Sequence, residues 1–125
     1  MKTAKDYMDE ANAVVPRLSA EDAVKLVGDG KTTFIDVRDT GSIKESGTIA
    51  GAIRLPRGLL EFVADDASPM HNKALTKDGH YALICGAGGQ AALAGKTMKE
   101  MGFENVVNIG GFNAWKEAGG PTEEG

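Results

Sequence analysis

The chain has 125 residues, 42% of them apolar and 26% charged, enough for one domain to bury a core without disulfide or metal staples. A net charge of −4 supplies no basic footprint, so nucleic acid is not an expected partner. Acids at Asp6, Asp9 and Glu10 stand where a signal peptide would carry its apolar core, and no apolar run is long enough to cross a bilayer. The expectation is a cytoplasmic protein with no membrane partner. One cysteine, Cys85, with His71 and His80 as the only imidazoles, allows neither an internal disulfide nor a zinc cluster, so no metal or cofactor is expected.

In chain order, residues 1–15 lack clear periodicity and are read as a loosely held arm or a short helix, in which little function is sought. The domain proper is placed at residues 16–120, with a tail over 121–125. Ser19 followed by Asp22 resembles a capping box with Asp in the Glu place, and Ala23, Val24, Leu26 and Val27 give a helix one apolar side before Gly28 stops it. Residues 32–37, β-branched and apolar, predict a buried strand. Residues 51–56 predict a second, short strand ended by Pro56, and Leu59, Leu60, Phe62 and Val63 predict a helix after it. The polar, turn-rich stretch 65–80 is long for a connection and reads as a lid beside a site or as a plain surface excursion.

Residues 81–85 predict a third strand, 91–101 a helix, 105–109 a fourth strand and 112–118 a last helix, with Gly102 and Gly119 where helices end. Apolar residues at 91, 94, 98 and 101 lay one face of the longer helix on a sheet. Alternating strands and helices imply an α/β fold with a parallel sheet covered on both faces, and in such sheets ligands bind at the carboxyl ends of strands. Cys85 is predicted at such an end.

Directly after Cys85 come Gly86, Ala87, Gly88, Gly89, Gln90 and Ala91. Small residues let a loop curl around one point with its N–H groups inward, and the helix N-terminus adds partial positive charge there. A thiolate or bound anion is stabilised at such a point. A buried structural cysteine would not need this run of small residues, so Cys85 is read as a nucleophile and residues 86–91 as its anion cradle.

Three other chemistries share parts of the pattern. Residues 86–91 also fit G-x-G-x-x-A after a strand, but the acid expected about twenty residues on, to hold a ribose, is missing because residues 106–109 run into Gly110 and Gly111. A phosphate-binding P-loop at Gly89 to Thr97 has the wrong glycine spacing, and its lysine, Lys96, falls inside the helix. A cysteine phosphatase needs an arginine in the loop to hold phosphate, and residues 86–91 contain no cation.

The residues around these elements resemble the rhodanese domain family, in its single-domain sulfurtransferase form. Residues 34–38, F-I-D-V-R, are similar to a family strand ending in D-V-R, and residues 47–56 to its G-H-I-x-G-A-x-x-x-P signature. Cys85 with Gly88 resembles the loop C-x-x-G-x-R, and residues 110–115 resemble G-G-x-x-x-W; together the motifs cover about Arg17 to Gly120 in family order. The resemblance implies a parallel five-stranded sheet flanked by helices. It also implies a sulfurtransferase in which Cys85 takes a sulfane sulfur from thiosulfate or a protein persulfide and passes it to a thiophilic acceptor, cyanide or a thiol. The short loop, six residues from Cys85 through Gln90, is similar to the sulfur-handling form, whereas the related phosphatases carry a longer one.

The chain departs from the family pattern at three places. Gln90 stands where many members have arginine, which removes a charge-assisted contact of about 1.5–3 kcal/mol from a dianionic donor such as thiosulfate. Ala91 replaces a frequent serine or threonine, and Thr48 the usual histidine. Arg57, just after Pro56, is the substrate-binding candidate for the missing charge, if its helix start faces the loop; otherwise it is a solvated surface arginine. Asp36 and Arg38 are read as a tie between loops, Phe112 and Trp115 as core, and His71 as a surface residue. Gln90 also keeps open a noncatalytic rhodanese-type module that binds a partner protein or a small anion.

Overall fold

The computed structural model describes residues 1–125. Its elements are α1 (Ala4–Val14), α2 (Ala20–Val24), β1 (Thr32–Asp36), α3 (Thr40–Ser46), β2 (Thr48–Ile49), β3 (Ile53–Arg54), a 3-10 turn (Arg57–Leu59), α4 (Leu60–Ala64), β4 (His80–Cys85), α5 (Gly89–Glu100), β5 (Asn105–Gly111), α6 (Phe112–Glu117) and β6 (Thr122–Glu123).

The main sheet is parallel, in the order β3-β1-β4-β5. β4, paired on both sides, is buried from Tyr81 through Cys85, which explains its unbroken apolar sequence. Alternate side chains serve two cores. Ile35, Leu83, Cys85 and Val106 face α4 and α5, while Phe34, Ala82, Ile84 and Ile109 face α2 and α6, with Trp115 packed edge-on against Phe34 at 5.2 Å between ring centres. Phe112 and Trp115 thus belong to the core.

Four strands form this sheet where the resemblance implies five. The fifth position, beyond β5, is reduced to one bridge between Arg17 and Asn108, held by Leu18 N–H to Asn108 C=O at 3.0 Å and Asn108 N–H to Pro16 C=O at 2.9 Å. Pro16, which lacks an N–H, limits how far that strand can extend on this side. The arm before it is a helix, α1, whose capping box joins Thr3 and Asp6, and which lies on α5 with Ala11 and Val15 buried. Gly95 permits the approach, since a Cβ there would stand 2.9 Å from Val15 Cγ1. The tail folds back as β6, antiparallel to β2, and Pro121 C=O accepts the Trp115 indole N–H at 3.1 Å.

The stretch 65–80 is pinned in its second half, where the Tyr81 hydroxyl accepts Thr76 N–H at 2.8 Å and Leu75 is buried. Tyr81 is the second residue of β4, about 13 Å by strand rise from Cys85 at its end. That half is a surface excursion at the opposite end of the sheet from the cysteine.

At the carboxyl end of β1, on the face opposite Cys85, Arg38 sets a two-pronged pair on Asp36 through Nε at 3.0 Å and Nη2 at 2.7 Å. The remaining donors reach Ser46 Oγ and Gly47 C=O, the Thr48 hydroxyl donates to Asp36 Oδ2 at 2.8 Å, and the guanidinium lies 4.6 Å over the Phe112 ring. Asp36 is fully buried and Arg38 7% exposed, so neither charge can fall back on water. Removing one partner strands the other. Asp36→Ala is therefore expected to lower the unfolding free energy in urea by about 3–5 kcal/mol. A loss below about 1 kcal/mol, the range of a surface pair, would refute this account.

Glu123 ties β6 down from the surface. Its carboxylate accepts Gly51 N–H at 2.6 Å and Arg54 Nη2 at 3.1 Å, and these contacts, the Gly51 bond first, hold its pKa below the ordinary 4.5. A lowered carboxylate pKa favours the folded state above the unfolded-state value, and the benefit disappears as pH falls through the folded-state value. The melting temperature of Glu123→Gln is expected to lie below wild type at pH 7 and to converge with it in acid. A constant gap would show that the charge is irrelevant.

Candidate active site

Cys85 ends β4 and is 1% exposed. Its Sγ accepts Gly88 N–H at 3.0 Å and Ala91 N–H at 3.3 Å, so two backbone dipoles converge on the sulfur at the N-terminus of the twelve-residue helix α5. That arrangement suits a thiolate or the anion that replaces it. Gly88, the N-cap of α5, has φ 103°, a left-handed conformation that turns its N–H back onto the sulfur at little steric cost to glycine alone. Gly86 and Ala87 are exposed and form the mouth; Gly88 and Ala91 are buried beneath them.

β5 supports the loop through an irregularity. Leu83 pairs with Asn108 but Cys85 pairs with Gly111, so β5 spends one extra residue over this step, and Gly110 takes φ 86°. This is a β-bulge, and it bends the strand end toward the loop. Gly111 completes the approach, because a Cβ there would collide with Gly86 C=O. The buried Asn108 side chain bridges the two parts: its Nδ2 donates to Gly88 C=O at 2.9 Å and its Oδ1 accepts Gly110 N–H at 2.9 Å.

Of the residues singled out from sequence, 86–91 are gathered around Cys85. Gln90 is exposed, and its side chain forms no hydrogen bond within the chain. Arg57 is not brought to the sulfur. Its guanidinium pairs with Glu61 Oε1 at 3.1 Å and donates to Thr97 Oγ1 at 3.0 Å, two turns and about 12 Å along α5 from Gly89. It braces α4 against α5. His71 is half-buried, with Nδ1 3.1 Å from Val63 C=O. A cleft of mixed polarity, with Leu18, Leu26, Lys31, His80, Lys99 and Val106 among its lining residues, opens at the amino end of the strands, away from Cys85.

Two residues at the site went unmarked in the sequence. Asn108 had a signal, a polar residue inside the buried run 106–109. Arg17 had none: it stands at the start of the domain, outside every motif singled out there, yet its guanidinium lies against the loop. A Cβ on Gly88 would stand 2.6 Å from Arg17 Nη1, and one on Gly110 2.8 Å from Nη2.

Replacing Asn108 by leucine keeps the volume but leaves the buried Gly110 N–H without a partner and removes one of the two hydrogen bonds on the Gly88 C=O. We expect Asn108→Leu to lose about 1–3 kcal/mol of stability and to alkylate more slowly at Cys85 with iodoacetamide at fixed pH. A folded variant with the wild-type alkylation rate would show that Asn108 does not hold the loop.

Comparison with known proteins follows the same lines. The sequence matches the Rhodanese-like domain family over residues 19–118. A putative sulfur carrier protein of Bacillus subtilis (strain 168), YrkF, is 26% identical over 110 residues; the match covers 87% of this chain but 55% of that protein, so the chain spans about half its length. The polysulfide-sulfur transferase homodimer of Wolinella succinogenes is similar at 32% identity and TM-score 0.75, over 97% of this chain and 87% of that one. A protein of unknown function from Rhodopseudomonas palustris CGA009, described as a possible tyrosine phosphatase, superposes with TM-score 0.92 at 37% identity, over 98% of this chain and 96% of that one. The cysteine cradle at the strand end and the match over most of its length agree: the chain belongs to the rhodanese-like domain family.

Proposed function

We propose that the protein is a sulfurtransferase with Cys85 as its nucleophile. The observation that carries this is the pair of backbone N–H groups on Sγ in a six-residue loop, Cys85 through Gln90, that contains no cation. A loop of neutral N–H donors suits a singly charged, polarisable sulfur anion; phosphate calls for a guanidinium at its centre. Relatives named as a sulfur carrier and a polysulfide-sulfur transferase support a role in sulfur transfer.

With thiosulfate as donor, the Cys85 thiolate attacks the sulfane sulfur. A new bond forms between Sγ and that sulfur, the bond to the sulfonate sulfur breaks, and its electron pair leaves on sulfite. The negative charge now rests on the outer sulfur of a Cys85 persulfide, and the loop N–H groups stabilise it as it develops. Cyanide then attacks the outer sulfur, thiocyanate departs, and the electron pair of the sulfur–sulfur bond returns to Sγ as thiolate. A protein persulfide as donor, or a thiol as acceptor, follows the same two displacements. Residues 86–91 bind and orient; Cys85 alone changes covalently.

Intact-mass analysis after incubation with thiosulfate or a persulfide donor is expected to show one added sulfur atom, removed by cyanide. Cys85→Ser should reduce thiocyanate formation to background. Uptake of no sulfur from any donor would overturn the proposal in favour of a noncatalytic binding module, and hydrolysis of p-nitrophenyl phosphate without sulfur uptake would replace it with a phosphatase.

A further inference from the structure

Resting on the sulfur-transfer reading, we infer that Arg17 is the donor-binding cation of this site, supplying from the edge of the sheet the charge that Gln90 does not, and selecting doubly charged sulfane-sulfur donors such as thiosulfate.

The chain has four arginines, and three of them are paired with carboxylates: Arg38 with Asp36, Arg54 with Glu123 and Arg57 with Glu61. Arg17 alone has no such partner, in a protein whose net charge is −4. Its backbone is nonetheless fixed, gripped on both sides by the paired hydrogen bonds to Asn108. The guanidinium is exposed and lies against two left-handed glycines, Gly88 and Gly110, whose missing side chains leave it room. An unpaired guanidinium beside the anion cradle, open to solvent and so to an incoming donor, is what an anion site requires.

The distance fits. Gly88 N is 3.0 Å from Sγ, its Cβ position about 2.5 Å from N by covalent geometry, and Arg17 Nη1 2.6 Å from that position, so Nη1 lies within about 8 Å of Sγ. A thiosulfate with its sulfane sulfur on Sγ directs its sulfonate oxygens outward over a span of this size. Arg17 then meets the end of the donor that departs as sulfite, where negative charge accumulates as the sulfur–sulfur bond breaks.

The test compares two donors with one acceptor, cyanide. Thiosulfate carries two negative charges, and benzenethiosulfonate presents a sulfane sulfur with one charge, leaving as the sulfinate. For Arg17→Gln, the ratio of kcat/KM for thiosulfate to kcat/KM for benzenethiosulfonate is expected to fall about 10-fold, and Arg17→Lys should recover part of it. The wild-type advantage for thiosulfate should also shrink with added salt, and that of Arg17→Gln should respond less. An unchanged ratio, whether through equal losses on both donors or no loss at all, would overturn the inference and leave Arg17 as a brace for Gly88 and Gly110.

Failure of sulfur uptake by the wild-type protein from either donor would instead strike at the sulfur-transfer reading. The anion site is read separately, by titrating thiosulfate against the amide resonances of Gly88 and Gly110. Saturable shifts that weaken about 10-fold in Arg17→Gln support it, and their absence from wild type refutes it.

Discussion

Gly88 is the residue on which the site depends. Its N–H is held to the sulfur of Cys85, while its C=O is shared between the first turn of α5 and the amide of Asn108. These two groups lie in the two planar peptides that meet at the Gly88 Cα, so anchoring both restrains the rotations at Gly88 that aim the N–H. The donor that stabilises the reactive anion is therefore set by a side chain on the neighbouring strand, and the sulfur contributes no more than an acceptor. Asn108 suits the task because one side-chain amide both donates and accepts, and here it does each once, inside the protein.

That constraint explains why the strand end is irregular. A regular β5 would carry Asn108 and Gly111 past the loop in even steps, and the extra residue of the bulge lets both meet it: Asn108 at Gly88, Gly111 at Gly86. The Asp36–Arg38 clamp does comparable work on the other face. It binds the end of β1 to α3 and β2, so the loops around the carboxyl edge of the sheet are tied by two separate polar centres. Thr48, where the family more often has histidine, supplies a short neutral donor to an aspartate whose other positions are already taken by Arg38.

The parallel sheet, the long helix after Cys85 and the turn of backbone N–H groups onto its sulfur were legible because each depends on local pattern: unbroken apolar runs, three-and-four spacing, and a cysteine before small residues. What was not legible depends on long-range geometry. β2 and β6 are two residues each and exist only because the tail returns to residues far back in the chain. The fifth strand shrank to Arg17, an outcome decided by the proline before it and by pairing with Asn108, neither visible in the periodicity of residues 16–18. Arg57 looked suitable by position after a strand, but Glu61 and Thr97 lie one turn away and across the helix pair, and they claim its charge. Arg17 enters the site through space from more than sixty residues upstream, and no spacing rule reaches that far.

The burial of Sγ bears on which sulfur of a persulfide can react. A persulfide offers two electrophilic atoms: attack on the outer one transfers sulfur, and attack on the inner one releases hydrosulfide and traps the attacking thiol as a mixed disulfide. With Cys85 1% exposed and its Sγ held by the N–H groups of Gly88 and Ala91, the outer atom of a persulfide there would be the one nearer the mouth at Gly86 and Ala87. The chain has no second thiol of its own to discharge the load. Under the proposed sulfur-transfer reaction, such shielding would make a lone cysteine regioselective, favouring hand-over of its sulfur to an external acceptor over loss of that sulfur as hydrosulfide.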